Sequence, residues 1–269
     1  MPEGHTVHRT ANAFNQAFAG RRIWIDSPQG RFLGASVRVS GQVLVRSLAI
    51  GKQHFIEFEN GLWIRIHLGI YGKWAWHENI KATNFLDKPV VGEVRARFYD
   101  QETLAELRGP TICEVVTSDE MQVVLDRLGP DPLNPDPTGS ECDRFVARVR
   151  RSTQSIAAML MDQSVISGIG NVYRAEILFR AGIDPYTPGN RLTVEQVRAM
   201  WDDAVALLHV GVATGFMITR DELFAKRPDK AERNYVYKRE GEPCRECGTK
   251  VSLAVLAGRK LYWCAGCQR

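Results

Sequence analysis

CRECGTKVSLAVLAGRKLYWCAGCQR, residues 244–269, holds four of the chain's six cysteines as Cys244-x-x-Cys247 and Cys264-x-x-Cys267, with 16 residues between the pairs. Each C-x-x-C turn presents two thiolates to one ion, and a two-stranded hairpin between the turns brings the four sulfurs into a tetrahedron. Val251, Leu253 and Val255 alternate as in a strand, Ala257-Gly258-Arg259 supplies a turn, and Lys260-Leu261-Tyr262-Trp263 returns. A disulfide pair is disfavoured in a reducing compartment, and a redox dithiol needs only one C-x-x-C. The expected cofactor is therefore one structural zinc on Cys244, Cys247, Cys264 and Cys267. Four thiolates leave no open coordination position, so the ion folds a small unit and activates no water.

Charge gathers in the same region. Residues 226–269 carry 11 Lys/Arg against 5 Asp/Glu, a formal +6, whereas the rest of the 269-residue chain sums to −2. A basic tail on a near-neutral body is the pattern expected for a polyanion partner, and a solvated surface run has the same composition. Hydrophobic residues make up 44% and charged residues 25%, an ordinary globular balance. No apolar run spans a bilayer and the amino terminus lacks a secretory apolar segment, which gives the expectation of a cytoplasmic protein with no membrane partner. Cys113 and Cys142 stand apart and read as ordinary buried or half-buried thiols.

Upstream of the cysteines the periodicity changes twice. Residues 22–116 alternate with period two, as in 54–58 and 62–68, and Asn60-Gly61 between those runs predicts a type I′ hairpin turn. A β-sandwich or barrel-like domain follows. One helix precedes it, because Val7, Ala11, Phe14 and Phe18 recur at helical spacing and Gly20 stands as a C-cap. After GPDPLNPDPTG (129–139), which reads as a linker or stiff turn, the period is helical to about residue 215. Phe145, Val149, Ile156, Met159 and Leu160 mark the first helices, residues 171–179 another that Gly182 caps, and Thr193-x-x-Gln196 a capping box opening the last. The fold class is α+β with three domains: a catalytic β-sandwich with a leading helix at 1–125, a helical domain at 126–225 and a zinc-finger hairpin at 226–269.

Two features could carry chemistry. Ser167-Gly168-Ile169-Gly170 interrupts the helical pattern just before Asn171, and glycines ahead of a helix N-terminus let a phosphate approach free N–H groups, with the Asn171 amide as a further donor. A tight interhelical turn needs the same glycines for steric reasons alone. At the amino terminus, removal of Met1 makes Pro2 a chain-end secondary amine with Glu3 beside it. Such an amine attacks a sugar aldehyde carbon to give a permanently positive iminium, the following helix favours the neutral amine, and Glu3 can move protons. The alternative is that Pro2 simply starts a helix and Glu3 complements its dipole.

MPEGHTVHR, DQSVISGIGNVYRAEILFRAGIDP and YVYKREGEPCRECG with GRKLYWCAGCQR together resemble the formamidopyrimidine-DNA glycosylase and endonuclease VIII family of base-excision repair enzymes. The resemblance covers essentially the whole chain. It implies a helix-two-turn-helix in the helical domain, damaged DNA as partner, and a bifunctional DNA glycosylase and AP lyase that works without a nucleotide cofactor. Pro2 is then the Schiff-base nucleophile and Glu3 the acid–base residue. Lys52, counted with Pro2 and Glu3 as catalytic, and Asn171, with Gly168 and Gly170 just before it, bind phosphates near the lesion; Arg259 holds a phosphate of the damaged strand. His67–Gly72 matches the loop that fills the hole left by an extruded nucleotide, with Ile70 and Tyr71 as wedges, or else these side chains fold into the β core. The opening PEGHTVHR is similar to the endonuclease VIII branch, which implies oxidised pyrimidines. His5, Thr6 and a short stretch from Thr214 to Asn234 depart from the family pattern around the damaged base. A monomer associated with the nucleoid is expected; a non-catalytic zinc-dependent binder of damaged or abasic DNA is the alternative.

Overall fold

A computed structural model describes residues 2–269, which form two compact units. Pro2 and Thr6–Arg127 make up the first; Glu3–His5 and Leu128–Arg269 make up the second. Helix α1 (Gly4–Phe18) runs from the residues of the second unit into the first. Among the described residues, no helix is long and apolar enough to cross a membrane.

In the first unit α1 is followed by β1 (Arg22–Asp26), a single-turn α2 (Leu33–Ser36), β2 (Gln42–Ile50), β3 (Gln53–Phe58), β4 (Trp63–His67), β5 (Lys73–Glu78), β6 (Val94–Tyr99), β7 (Thr103–Arg108), β8 (Ile112–Val116) and α3 (Ser118–Leu125). The strands are antiparallel in the order β5-β7-β6-β1-β2-β3-β4-β8. Two residue pairs, Arg22 with Val43 and Ile23 with Gln42, join the two four-stranded halves. Ile25, Phe98 and Leu107 from one half pack with Ile56, Ile64 and Ile66 from the other, so the sheet closes on itself as a β-sandwich. The helical stripe read from the sequence is the buried face of α1. Val7 and Ala11 meet Ala49, while Phe14 and Phe18 enter the sandwich core. The Phe14 ring lies 4.8 to 5.7 Å from the rings of Phe18, His54, Trp74, Trp76 and Phe98.

His54 is buried beside Phe14, with Nε2 2.7 Å from the Ser47 hydroxyl. Burial, helped by the charge of His8, pushes its imidazole down to about 3. An unfolded histidine titrates near 6.5, so between these values the unfolded chain binds the extra proton. Stability is therefore full above about pH 6.5 and is lost as the pH falls toward 3. At pH 5 the loss attributable to His54 is about 2 kcal/mol. Urea unfolding at pH 7 and pH 5 should show a gap larger by about 2 kcal/mol in the parent than in a His54→Gln variant, which keeps the share of His67 and His77; equal gaps would remove His54 as a cause.

Two hairpins correct the sequence reading of turns. Asn60-Gly61 does not form a type I′ turn: Gly61 alone is left-handed (φ 78°), Gly61 N–H bonds to Phe58 O and Phe58 N–H to Leu62 O. That is a three-residue loop, Glu59-Asn60-Gly61, closed by a glycine bulge. The type I′ geometry occurs instead at Ala257-Gly258, where both residues are left-handed (φ 49° and 71°). Arg259 consequently opens a strand and does not lie in the turn. Helix α3 lies beyond the strand reading of the sequence: a Thr117–Glu120 capping box opens it, and a short stripe of Met121, Val124 and Leu125 packs against Phe55, Trp63 and Val116.

The second unit contains α4 (Ser140–Arg150), α5 (Ile156–Met159), α6 (Asn171–Arg180), α7 (Val194–Thr214) and the hairpin β9 (Ser252–Leu256) and β10 (Arg259–Trp263). Phe145, Val149, Ile156, Ile177, Trp201 and Leu208 belong to one core with Leu261 of β10. Thr193 and Gln196 form the expected capping box of α7. Of the two readings of the Pro- and Asp-rich joint, the structure agrees with the stiff turn: residues 129–132 are buried, Gly129 N–H bonds to Gln163 O and Pro130 O accepts from Ser167 N–H. In the hairpin the alternating Leu253 and Val255 face outward, Val255 being 72% exposed, whereas Leu261 and Tyr262 supply the packing. The carboxy-terminal residues dock on the helices through Gln268 Nε2 to Ile183 O and Arg269 N–H to Gly182 O.

Candidate active site and nucleic-acid interface

The four cysteine sulfurs lie within 4.8 Å of one another. Cys244 and Cys267 Sγ are 3.8 Å apart and Cys247 and Cys264 Sγ 3.5 Å apart. Zinc bonded to sulfur at about 2.3 Å in a tetrahedron sets sulfurs about 3.8 Å apart, so the donor set fits the ion. Each turn is shaped by its backbone. Cys244 O accepts from Gly248 N–H, Gly248 is left-handed (φ 75°), and a Cβ on Gly266 would stand 2.9 Å from Cys247 Sγ.

Glu3 is fully buried in the second unit. Its Oε2 accepts from Gly170 N–H at 2.8 Å and its Oε1 from Val172 N–H at 2.9 Å. Gly4 N–H donates to Gly168 O at 2.8 Å. A Cβ on Gly170 would lie 2.5 Å from Glu3 Cδ, and one on Gly4 would lie 2.9 Å from Gly168 Cα, so these glycines exist to let two backbones and a carboxylate meet. This corrects one expectation. The N–H groups that lead α6 are not free for a phosphate; the chain's own Glu3 carboxylate occupies them. The anion at this helix N-terminus is an internal carboxylate.

Asn171, the first residue of α6, is 7% exposed. Its Nδ2 donates to Lys260 O at 2.9 Å, and its Oδ1 accepts from Arg174 Nη2. Arg259, next to Lys260, is exposed. Asn171 and the hairpin arginine are thus brought to one place by a single strand end. His5 is buried with its ring edge-on to Tyr173 at 5.4 Å, and a Cβ on Gly211 of α7 would come within 2.7 Å of the His5 ring. It is a packing residue between α6 and α7.

In the first unit, Lys52 sits at the tip of the β2–β3 hairpin. Ile50 pairs with Gln53 and Gly51 is left-handed (φ 58°), the geometry of a two-residue type II′ turn. Gln53 pairs with His67, which places that tip beside the end of β4. Burial, with the Lys52 and Arg65 charges adding to it, holds the His67 imidazole below its usual range, and its Nδ1 accepts from Gly69 N–H. Leu68 anchors the following loop in the core, and Gly72 N–H closes it on Leu68 O. Gly69 is left-handed (φ 65°) and tolerates no side chain, since a Cβ would overlap the Thr111 hydroxyl at 1.9 Å. Ile70 is 51% and Tyr71 84% exposed, so neither folds into the β core. Pro2 is half-buried; Met1 lies outside the described residues.

The sequence matches the formamidopyrimidine-DNA glycosylase N-terminal domain over residues 1–112, the formamidopyrimidine-DNA glycosylase H2TH domain over 128–222, and a zinc finger found in FPG and IleRS over 241–269. The chain belongs to the formamidopyrimidine-DNA glycosylase and endonuclease VIII family. Endonuclease 8 1 of Mycobacterium tuberculosis is 43% identical over 274 residues, with all of both chains covered. The formamidopyrimidine-DNA glycosylase of Desulfitobacterium hafniense is 33% identical over 286 residues, again over the full length of both. The structure of Lactococcus lactis Fpg in complex with an abasic site containing DNA superposes with a TM-score of 0.80 at 21% identity, covering 99% of each chain.

Two buried charges on α6 escaped the sequence reading. Glu176 accepts from the N–H groups of Tyr235, Val236 and Tyr237 and from the Thr219 hydroxyl, which fastens the 219 and 235–237 segments to the helix. Arg174, also fully buried, binds Asn171 and Lys260. Their signal was present as the ArgAlaGlu run inside an otherwise apolar helix, since charges are rarely fully buried without a partner.

Proposed function

We propose that this chain, a DNA glycosylase and AP lyase of base-excision repair that takes damaged or abasic DNA, removes oxidised bases through a Schiff base on Pro2, with pyrimidines favoured. It acts as a cytoplasmic monomer, associated with the nucleoid through DNA and without a nucleotide cofactor. The observation that carries this reading is the fixed carboxylate of Glu3, bonded in sequence to Pro2 and held by the N–H groups of Gly170, just before α6, and Val172, within it.

Once Met1 is removed, the Pro2 nitrogen attacks C1′ of the extruded nucleotide and the bond from C1′ to the base breaks, the base leaving with its electron pair and taking a proton from solvent water. Glu3, as a carboxylate, takes the proton from the attacking amine and delivers it to O4′ as the C1′–O4′ bond opens. The resulting iminium acidifies the 2′ hydrogen. Loss of that proton expels the 3′ phosphate, and a second elimination expels the 5′ phosphate. Water then adds to the iminium carbon and the C–N bond breaks, releasing an aldehyde, a proton and the free Pro2 amine. Ile70 and Tyr71, exposed on a loop anchored by Leu68, fill the gap in the stack, offsetting an unstacking cost of a few kcal/mol. Lys52, Asn171 and Arg259 hold backbone phosphates around the lesion. The pyrimidine preference is supported by the PEGHTVHR opening and by higher identity to the mycobacterial endonuclease 8 than to the formamidopyrimidine-DNA glycosylase.

Excision from duplexes bearing an oxidised pyrimidine, a ring-opened purine or 8-oxoguanine tests the preference, with the pyrimidine expected fastest; faster release of 8-oxoguanine would reverse it. On the same duplexes, Lys52→Ala and Arg259→Ala should each weaken binding and lower the salt slope by about 0.9, the loss of one phosphate neutralised. Unchanged slopes would take these two residues off the DNA.

A further inference from the structure

Arg174 is the largest fully buried side chain among the described residues. Its Nη2 donates twice, to Asn171 Oδ1 and to Lys260 O at 2.9 Å. Nε and Nη1 are sealed from solvent and make no hydrogen bond. A guanidinium carries five N–H donors, and leaving charged donors unpaired in the interior costs more than the 1 to 3 kcal/mol of a neutral group. A side chain present only to stabilise the fold would not leave most of its donors unused. Burial, with the Arg259 charge acting the same way and the Glu3 charge against it, lowers the guanidinium to about 10, so it remains a cation at neutral pH.

The two bonds it does make have a directional consequence. An amide side chain can present either oxygen or NH2 to a ligand, and the two faces differ by a half-turn. With Oδ1 held by a cation that can only donate, the Asn171 amide cannot turn over without setting NH2 against N–H. One Nδ2 hydrogen goes to Lys260 O, and the amide also hydrogen-bonds the Tyr237 side chain, so its NH2 end is held as the donor face. Lys260 O is shared by Asn171 and Arg174, so the strand that starts with Arg259 is tied to the first turn of α6 at the same point.

We propose that Arg174 is a positioning residue for DNA-phosphate binding, fixing the donor face of Asn171 and seating the Arg259 end of β10 against α6. This rests on the reading of Asn171 and Arg259 as phosphate contacts. The test is a cycle of Arg174→Met, Asn171→Ala and the double variant, with Arg174→Lys as rescue, measuring Kd for a duplex with a tetrahydrofuran abasic-site analogue alongside zinc content and unfolding midpoint. Arg174→Met should weaken binding about tenfold while retaining one zinc per chain, and the double variant should lose clearly less than the product of the single losses. Arg174→Lys, whose ammonium can donate to both oxygens, should recover most of the affinity. Losses that simply multiply, or a lysine variant as weak as the methionine one, would reduce Arg174 to a structural residue. If Arg174→Met sheds its zinc, the cycle is run with Arg174→Lys, where a residual loss independent of Asn171 overturns the proposal. Parent-like binding by Asn171→Ala would overturn the phosphate reading itself, whereas parent-like binding by Arg174→Met beside a weakened Asn171→Ala would overturn only the positioning role.

Discussion

Protein in which the Pro2 nitrogen is sealed, by retained Met1 or by a short Gly-Ser extension, should cleave an abasic-site duplex at background rate and yield no covalent adduct on borohydride reduction. Native protein should be trapped with the adduct mapped to Pro2. The reason is chemical. An amide nitrogen has delocalised its lone pair into the carbonyl and cannot add to a sugar aldehyde, whereas a secondary amine adds and gives an iminium that stays positive at any pH. Neither extension replaces Glu3 or the Gly170 and Val172 N–H groups it accepts from, so binding of abasic-site DNA should survive and separate the loss of chemistry from a loss of folding. Intact mass of each preparation reports whether Met1 is present. Strand cleavage at the native rate by the sealed protein would end the Schiff-base mechanism.

Removal of zinc, by chelation or by Cys264→Ser, should abolish specific DNA binding. Structural zinc in small cysteine sites contributes about 10 to 16 kcal/mol of apparent binding energy, as large as the whole stability of an ordinary domain. The hairpin has little to replace it. Leu253 and Val255 of β9 face solvent, and Cys244 and Cys264 are themselves part of the small core that includes Val251 and Tyr262. Losing the ion therefore frees Arg259 from its strand end and Lys260 O from Asn171 and Arg174. The β-sandwich has a separate core and should keep its own unfolding transition. Zinc content, DNA affinity and the number of thermal transitions read this out, and a metal-free protein with parent-like affinity would show that the finger does not contact DNA.

Several of these elements were legible in advance because their signals are local. The α1 stripe, the Thr193–Gln196 cap and the cysteine spacing each depend on residues a few positions apart, and each fold element follows from them. The turns were legible only in part. Asn60-Gly61 carries the composition of a type I′ turn, yet the strands it joins pair with one extra residue, and register is a property of both strands. Ala257-Gly258 has the weaker composition and the stricter geometry.

The sequence alone determined a zinc-binding hairpin, a strand-rich amino-terminal part, a helical middle and membership of a repair family, since periodicity and ligand spacing are written in consecutive residues. Only the tertiary structure decided what fills the α6 N-terminus. Glu3 and Gly170 are 167 positions apart in the chain, and no local pattern says that a carboxylate from one will take the N–H of the other. The same holds for Arg174 and Lys260. Burial turned an apparently ordinary helical arginine into a guanidinium with fixed partners, because an interior without water leaves a charge only the neighbours that folding provides.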